Sequence, residues 1–167
     1  MNGRGAIQKL TQEHNVESFD CGQPDLNRFL KQQAWVSQQS NSAQTYVFAE
    51  GGVVRGYYSL AAGAVAHESA SARVRKGQAR HAIPVILLAR LAVDRALQGQ
   101  SVGAALLKDA LLRTAAAAET IGARALLVHA KDEQARGFYQ HFGFEPSPSD
   151  ALHLMLVMKD LKGRIHS

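Results

Sequence analysis

The chain has one cysteine, Cys21, four prolines and few aromatics, and its apolar runs are short. A single cysteine excludes an intrachain disulfide. It leaves any zinc site dependent on histidines, and it fits a reducing cytoplasm. The longest apolar run, Ile83 to Val93, contains Pro84 and Arg90 and is too short and too charged to cross a bilayer. The segment from Met1 to Phe19 has no apolar signal core. There is no repeat, no long linker, and no aromatic signature of an RNA-recognition sheet. Acidic residues are in deficit, 14 against 19 Lys and Arg, for a net charge of +5. That balance favours an anionic partner: nucleic acid, a phosphorylated cofactor or an anionic surface.

What is present is a globular composition, 46% apolar over 167 residues, enough for one domain over 1–167. Pro24 and Asp25 open a helix, with Leu26, Phe29, Leu30 and then Trp35 or Val36 on one stripe. Thr45 to Ala49 and Val53 to Ala61 read as a hairpin across Glu50–Gly51–Gly52. Ser69 to His81 reads as a basic, exposed, mobile loop. A strand from Val85 to Val93 follows, then a helix from Ala104 to Ile121 stopped by Gly122. A strand Ala125 to His129, a short helix Glu133 to Phe142 and a last strand Leu152 to Met158 complete the order. The expected class is α/β, a single mixed central sheet flanked by helices.

Between the Val85–Val93 strand and the following helix lies Gln98–Gly99–Gln100–Ser101–Val102–Gly103–Ala104. A turn of small residues there lets backbone N–H groups converge at the positive end of a helix, a receptor for phosphate or pyrophosphate. By spacing alone a bland strand–turn–helix connection fits equally well. The loop is neither a Walker A nor a Gly-x-Gly-x-x-Gly pattern.

With its neighbours, the loop resembles the acyl-CoA pyrophosphate loop of the GNAT superfamily of N-acetyltransferases, Gln/Arg-x-x-Gly-x-Gly/Ala. Gln98, Ser101 and Gly103 fall on its marked positions, Ser101 in place of the usual first glycine. The segment ARGFYQHFGF resembles the second family signature, where a Tyr stands near the thioester. FDCGQPDLNRFL, GYYSLAAGAV, IPVILLARLAVD, QGQSVGAALLKDAL and FYQHFGFEPSP occur in an order that is similar to GNAT toxins of type II toxin–antitoxin modules.

The resemblance implies the GNAT fold and an acetyl-CoA-dependent enzyme that acetylates the α-amino group of aminoacyl-tRNA. It also implies a ribbon–helix–helix antitoxin partner, a homodimer, no membrane and no metal. Residues 98 to 104 would hold the pyrophosphate, and the strand Leu91–Ala92–Val93 the pantetheine arm. Tyr139 would be the general acid for the CoA thiolate, facing the cleft while Phe138, Phe142 and Phe144 supply the core; the other reading of the residue is core packing. Phe138 joins the cofactor's surroundings, although Phe138, Phe142 and Phe144 also read as core. Asp132 is read either as a pantetheine contact or as the N-cap of the last helix.

Arg73, Arg75, Lys76 and Arg80 would meet the tRNA phosphates, or be a solvated face. Arg90, inside an apolar strand, needs a carboxylate or a cleft. No strong general base stands out among Asp94, Glu133 and seven histidines. Cys21 is expected to be a buried structural thiol. Two other functions stay open: acetylation of a small amine or protein N-terminus, and a catalytically silent CoA-binding module.

Overall fold

The computed structural model describes residues 6–165. Residues 1–5 and 166–167 lie outside the described residues. They include both ends of the expected domain and the start of the segment read for a signal core. The strands are β1 (Gln8–Lys9), β2 (Gln44–Glu50), β3 (Val53–Val65), β4 (Ile83–Val93), β5 (Ala125–His129), β6 (Glu145–Pro146) and β7 (His153–Val157). They form one seven-stranded sheet in the order β1-β2-β3-β4-β5-β7-β6. The helices are α1 (Pro24–Arg28), α2 (Ala34–Gln39), α3 (Ala72–Arg75), α4 (Val102–Ile121), α5 (Glu133–His141) and α6 (Met158–Ile165). The mixed-sheet α/β class is the one expected. The chain divides into two compact units: residues up to Ala61 with Ala89–Ala110, and Ala62–Leu88 with the chain from Leu111 on.

In the first unit β2 and β3 form the expected hairpin, Thr45 opposite Ser59 and Tyr46 opposite Tyr58, with a register shift at Phe48/Ala49. Gly51 and Gly52 turn it at φ 58° and 81°, a conformation that favours glycine. The buried hydroxyls of Thr45 and Ser59 satisfy each other at 2.8 Å. Phe19, Phe29, Leu30, Val47, Tyr57 and Ala92 make the core, and the Cys21 thiol is buried among them as expected. An added Cβ on Gly56 would meet Leu106 Cδ1 at 3.0 Å and the Ala92 carbonyl at 3.4 Å. The glycine therefore lets α4 lie close to β3.

The helix opened by Pro24 is not uniform. Residues Phe29–Gln33 form a π turn between α1 and α2, in which the Ala34 N–H bonds the Phe29 carbonyl. The wider turn shifts the phase of the apolar stripe. Trp35 packs against the core and Val36 is left 62% exposed, which decides between the two residues the sequence left open.

In the second unit the Val85–Leu88 part of β4 pairs in parallel with Ala125–Val128 of β5. Strand β5 is antiparallel to β7, from Ala125 opposite Val157 to His129 opposite His153. Val74, Ile83, Val85, Leu127, Met155 and Val157 are among its core residues. The segment after Ser69 is not the free loop expected. Ser71 caps α3 by accepting the Val74 N–H, and Val74 and Ala70 are buried. Two apolar anchors among the charges turn a basic stretch into a docked helix.

Candidate functional site

The expected cofactor loop lies in the first unit. Leu91 and Val93 are partly buried and Ala92 is buried, the alternation of a strand. Asp94 follows, buried at 6% exposure. Its carboxylate accepts the N–H of Ala96 at 2.9 Å and of Asp20 at 3.0 Å, capping the short turn Arg95–Leu97. These bonds make Asp94 the cap of the turn.

Gln98 then folds back. Its side-chain amide donates to the Val93 carbonyl at 2.9 Å and to the Cys21 carbonyl at 3.0 Å. The side chain is thus a clamp on the loop. Gly99 and Ser101 both have left-handed backbone, φ 82° and 66°. The serine at the usual glycine position keeps the glycine-like conformation, at a strain that a short polar side chain tolerates best. Gln100 and Ser101 are exposed.

Helix α4 starts at Val102, two residues earlier than expected. Its first internal bond runs from the Ala105 N–H to the Ser101 carbonyl, 3.1 Å. The N–H groups of Val102, Gly103 and Ala104 therefore have no carbonyl one turn back. Three such donors, at the positive end of a 20-residue helix, suit a pyrophosphate. Arg90, expected to meet a carboxylate or to point into a cleft, lies on an aromatic face: its guanidinium is 3.8 Å over the centre of the Phe29 ring.

The second unit carries the other candidates. Asp132 is the N-cap of α5, its Oδ1 accepting the Ala135 N–H at 2.8 Å. Of its two readings, this is the cap. Glu133 pairs with Arg136 at 3.0 Å. Tyr139 is buried at 8% exposure, edge-on to Phe138 at 5.2 Å and to Phe144 at 5.5 Å. Burial pushes its phenol above the ordinary value. Phe138 is partly buried and also meets Phe142 at 5.2 Å. His129 stacks on His153 with ring centres 4.0 Å apart. Its own partial burial, and then the neighbouring His153, hold His129 below the ordinary histidine range.

The basic residues separate into roles. Arg73 is engaged by Asp160, with Nη2 to Oδ1 at 2.8 Å and Nη1 to Oδ2, and by Glu145 at 3.8 Å. Lys76 and Arg80 are exposed and Arg75 is half-buried. Sequence reasoning missed Arg124, which donates to the carbonyls of Val74 (2.8 Å), Arg73 (2.9 Å) and Lys76 (3.3 Å) and so closes α3. Nothing in its local sequence, a basic residue two after Gly122, signals that task. Among the described residues, no group of three or more His, Cys, Asp or Glu could hold a metal ion. No described helix is long and apolar enough to cross a membrane.

Comparison with known proteins now bears on these parts. The acetyltransferase (GNAT) domain family matches residues 41–146. A tRNA-acetylating toxin of Mycobacterium tuberculosis (strain ATCC 25618 / H37Rv) is 46% identical over 165 residues, covering 99% of each chain. Among solved structures, AtaT complexed with acetyl-methionyl-tRNAfMet superposes with a TM-score of 0.87 at 29% identity, over 94% of this chain and 96% of that one. A mutant AtaT toxin bound to the C-terminus of the antitoxin AtaR and acetyl-CoA gives 0.82 at 28% identity, over 97% and 98%. The strand, loop and helix order, the matched domain and the full-length similarity converge: the chain belongs to the GNAT acetyltransferase family, in the branch that holds the tRNA-acetylating toxins.

Proposed function

We propose that this chain transfers the acetyl group of acetyl-CoA to the α-amino group of an aminoacyl-tRNA and so blocks translation in the cytoplasm. A cognate ribbon–helix–helix antitoxin neutralises it, and it works as a homodimer. The observation that carries the activity is the 46% identity over 165 residues with a tRNA-acetylating toxin. Structures of AtaT with acetyl-methionyl-tRNAfMet and with acetyl-CoA and AtaR support the choice of acceptor, donor and antitoxin.

The chain's own residues fit the donor. The unpartnered N–H groups at Val102, Gly103 and Ala104 offer hydrogen bonds to pyrophosphate oxygens. The left-handed backbone at Gly99 and Ser101 turns the chain sharply enough to begin α4 there. In this reading the edge of Leu91–Val93 lies along the pantetheine arm.

Tyr139 gives its proton to the CoA sulfur as the thioester carbon–sulfur bond breaks and the new amide bond forms, and the proton lost by the attacking amine returns to the phenolate, directly or through water. Burial raises the pKa of this phenol, which keeps it protonated throughout the physiological range and makes it a weak acid, so it yields its proton only to the thiolate generated as the thioester breaks. The α-amino group of an aminoacyl ester titrates near or below about 7.7–8.0, so much of the acceptor is already neutral. That removes the need for a strong base, in keeping with the engagement of Asp94 and Glu133 elsewhere. The rate rises with pH through the amine's titration and then levels, because Tyr139 keeps its proton.

The test is incubation of the purified chain with labelled acetyl-CoA and total charged tRNA, followed by mass analysis of the released aminoacyl groups. Acetylated aminoacyl groups are expected. Label found only on small amines or protein N-termini would overturn the reading. Replacing Tyr139→Phe lowers kcat by about 10²–10⁴-fold while acetyl-CoA affinity and the melting temperature stay unchanged.

A further inference from the structure

A cavity of about 230 Å³ in the second unit is lined by Arg73, Lys76, Arg124, Lys159 and Val157. Four of the five lining residues are cations. Two of them are already fixed in place. Arg73 is held by Asp160 and Glu145, and Arg124 by the three carbonyls at the end of α3. The other two, Lys76 and Lys159, are exposed and have no carboxylate partner among the described residues. Two carboxylates against four cations leave an excess of two positive charges in a concave site. The Nη1 group of Arg124 also has no acceptor among the described residues. A planar donor held by its other bonds, flanked by two exposed ammonium groups, is suited to phosphate oxygens.

Its place in the fold separates it from the helix that carries Tyr139. The lining meets the sheet where Arg124 leads into Ala125 of β5, opposite Val157 of β7. Helix α5 follows the other end of β5, beyond His129. Five strand residues put those two ends about 13 Å apart. Val157 is the one uncharged lining residue, so the cavity offers charge and no aromatic ring for a base to stack on. That favours a backbone phosphate over a whole nucleotide.

We propose that this cavity is a phosphodiester site for the backbone of the acceptor nucleic acid, contacted by Lys76, Lys159 and Arg124 Nη1. It holds a phosphate some nucleotides away from the reacting end, with Arg73 and its carboxylates setting the wall. The inference rests on the aminoacyl-tRNA reading and adds a location and two residues, Arg124 and Lys159, to it.

The test compares the wild-type protein with the double variant Lys76→Gln/Lys159→Gln, measuring binding of a labelled acceptor-stem RNA hairpin across salt concentrations. The variant binds several-fold more weakly at low salt, and its log affinity against log salt is shallower by about 1. Its acetyl-CoA affinity and melting temperature match wild type, which excludes misfolding. Equal affinity and equal slope overturn the site. If wild type acetylates charged tRNA yet the variant binds RNA equally well, only the site falls. If wild type does not acetylate charged tRNA, the functional reading falls first.

The Nε–H resonance of Arg124 distinguishes the sources of phosphate. It shifts saturably with the hairpin at micromolar concentration, and with inorganic phosphate only far above that. Saturation by micromolar inorganic phosphate would reassign the cavity to a free anion. A shift with an acidic peptide and none with RNA would reassign it to a protein partner.

Discussion

Two turns of this molecule invite comparison, Gln98–Gly103 in one unit and Ser71–Gly77 in the other. Both adjoin a helix end, and each is held by one long side chain that donates to backbone carbonyls. Gln98 ties the first to Val93 and Cys21. Arg124 ties the second to Arg73, Val74 and Lys76. The clamps differ in charge because the helix ends differ. The first turn faces the N-terminus of α4, where the dipole is positive and a neutral clamp leaves the N–H groups for an anion. The second is the C-terminus of α3, where the dipole is negative and a cation is the favourable clamp. In the sites proposed above, anion recognition falls to the backbone in one turn and to side chains in the other.

The comparison breaks most decisively at Arg124. Arg124→Ala leaves three carbonyls without their charged donor and should destabilise the protein by about 3 kcal/mol in chemical denaturation. Acetyl-CoA affinity should be untouched. A loss under about 0.5 kcal/mol would mean that the clamp contributes nothing measurable. Gln98→Ala removes two neutral bonds at a more exposed position and should cost about 1 kcal/mol. Here the functional effect inverts: calorimetry should find weaker acetyl-CoA binding, while RNA binding is kept. The smallest effect sharpens the contrast at a single φ angle. Ser101→Gly should stabilise by about 0.5 kcal/mol or less, relief of left-handed strain being offset by backbone entropy. Ser101→Val should move stability the opposite way, because a branched Cβ suits that conformation least. Melting temperatures shifting in the same direction for both would remove the backbone argument for this loop.

Much of the fold was legible before the structure. The β2–β3 hairpin announces itself through alternation around Gly51–Gly52, and the strands β4 and β5 and helices α4 and α5 through periodicity and their glycine stops. The short strands β1 and β6 were not legible, because two residues carry no period and exist only as partners of β2 and β7. Helix α3 was hidden by its charges: Arg73, Arg75 and Lys76 read as solvated while Val74 did the anchoring. The π turn at Phe29–Gln33 was equally hidden, since propensity cannot register one extra residue in a helical turn. For the candidate site, the loop and Tyr139 stood out in the sequence as residue types in order, and their roles there rest on the proposal above. The polar neighbours were less so. Asp94 and Asp132 are caps, Glu133 is paired, and Arg90 lies on Phe29.

By itself the amino-acid sequence determined the α/β class, the place of the glycine loop at the head of α4, the basic balance and the buried character of Cys21. Each follows from local patterning or composition, which act over a few residues or over none. Only the tertiary structure decided which charges are free. Arg73 meets Asp160 across 87 residues, and Arg124 meets Val74 across 50. Whether a cation ends in a pair, on a carbonyl or in an open cavity depends on partners that the chain brings together only when the sheet forms.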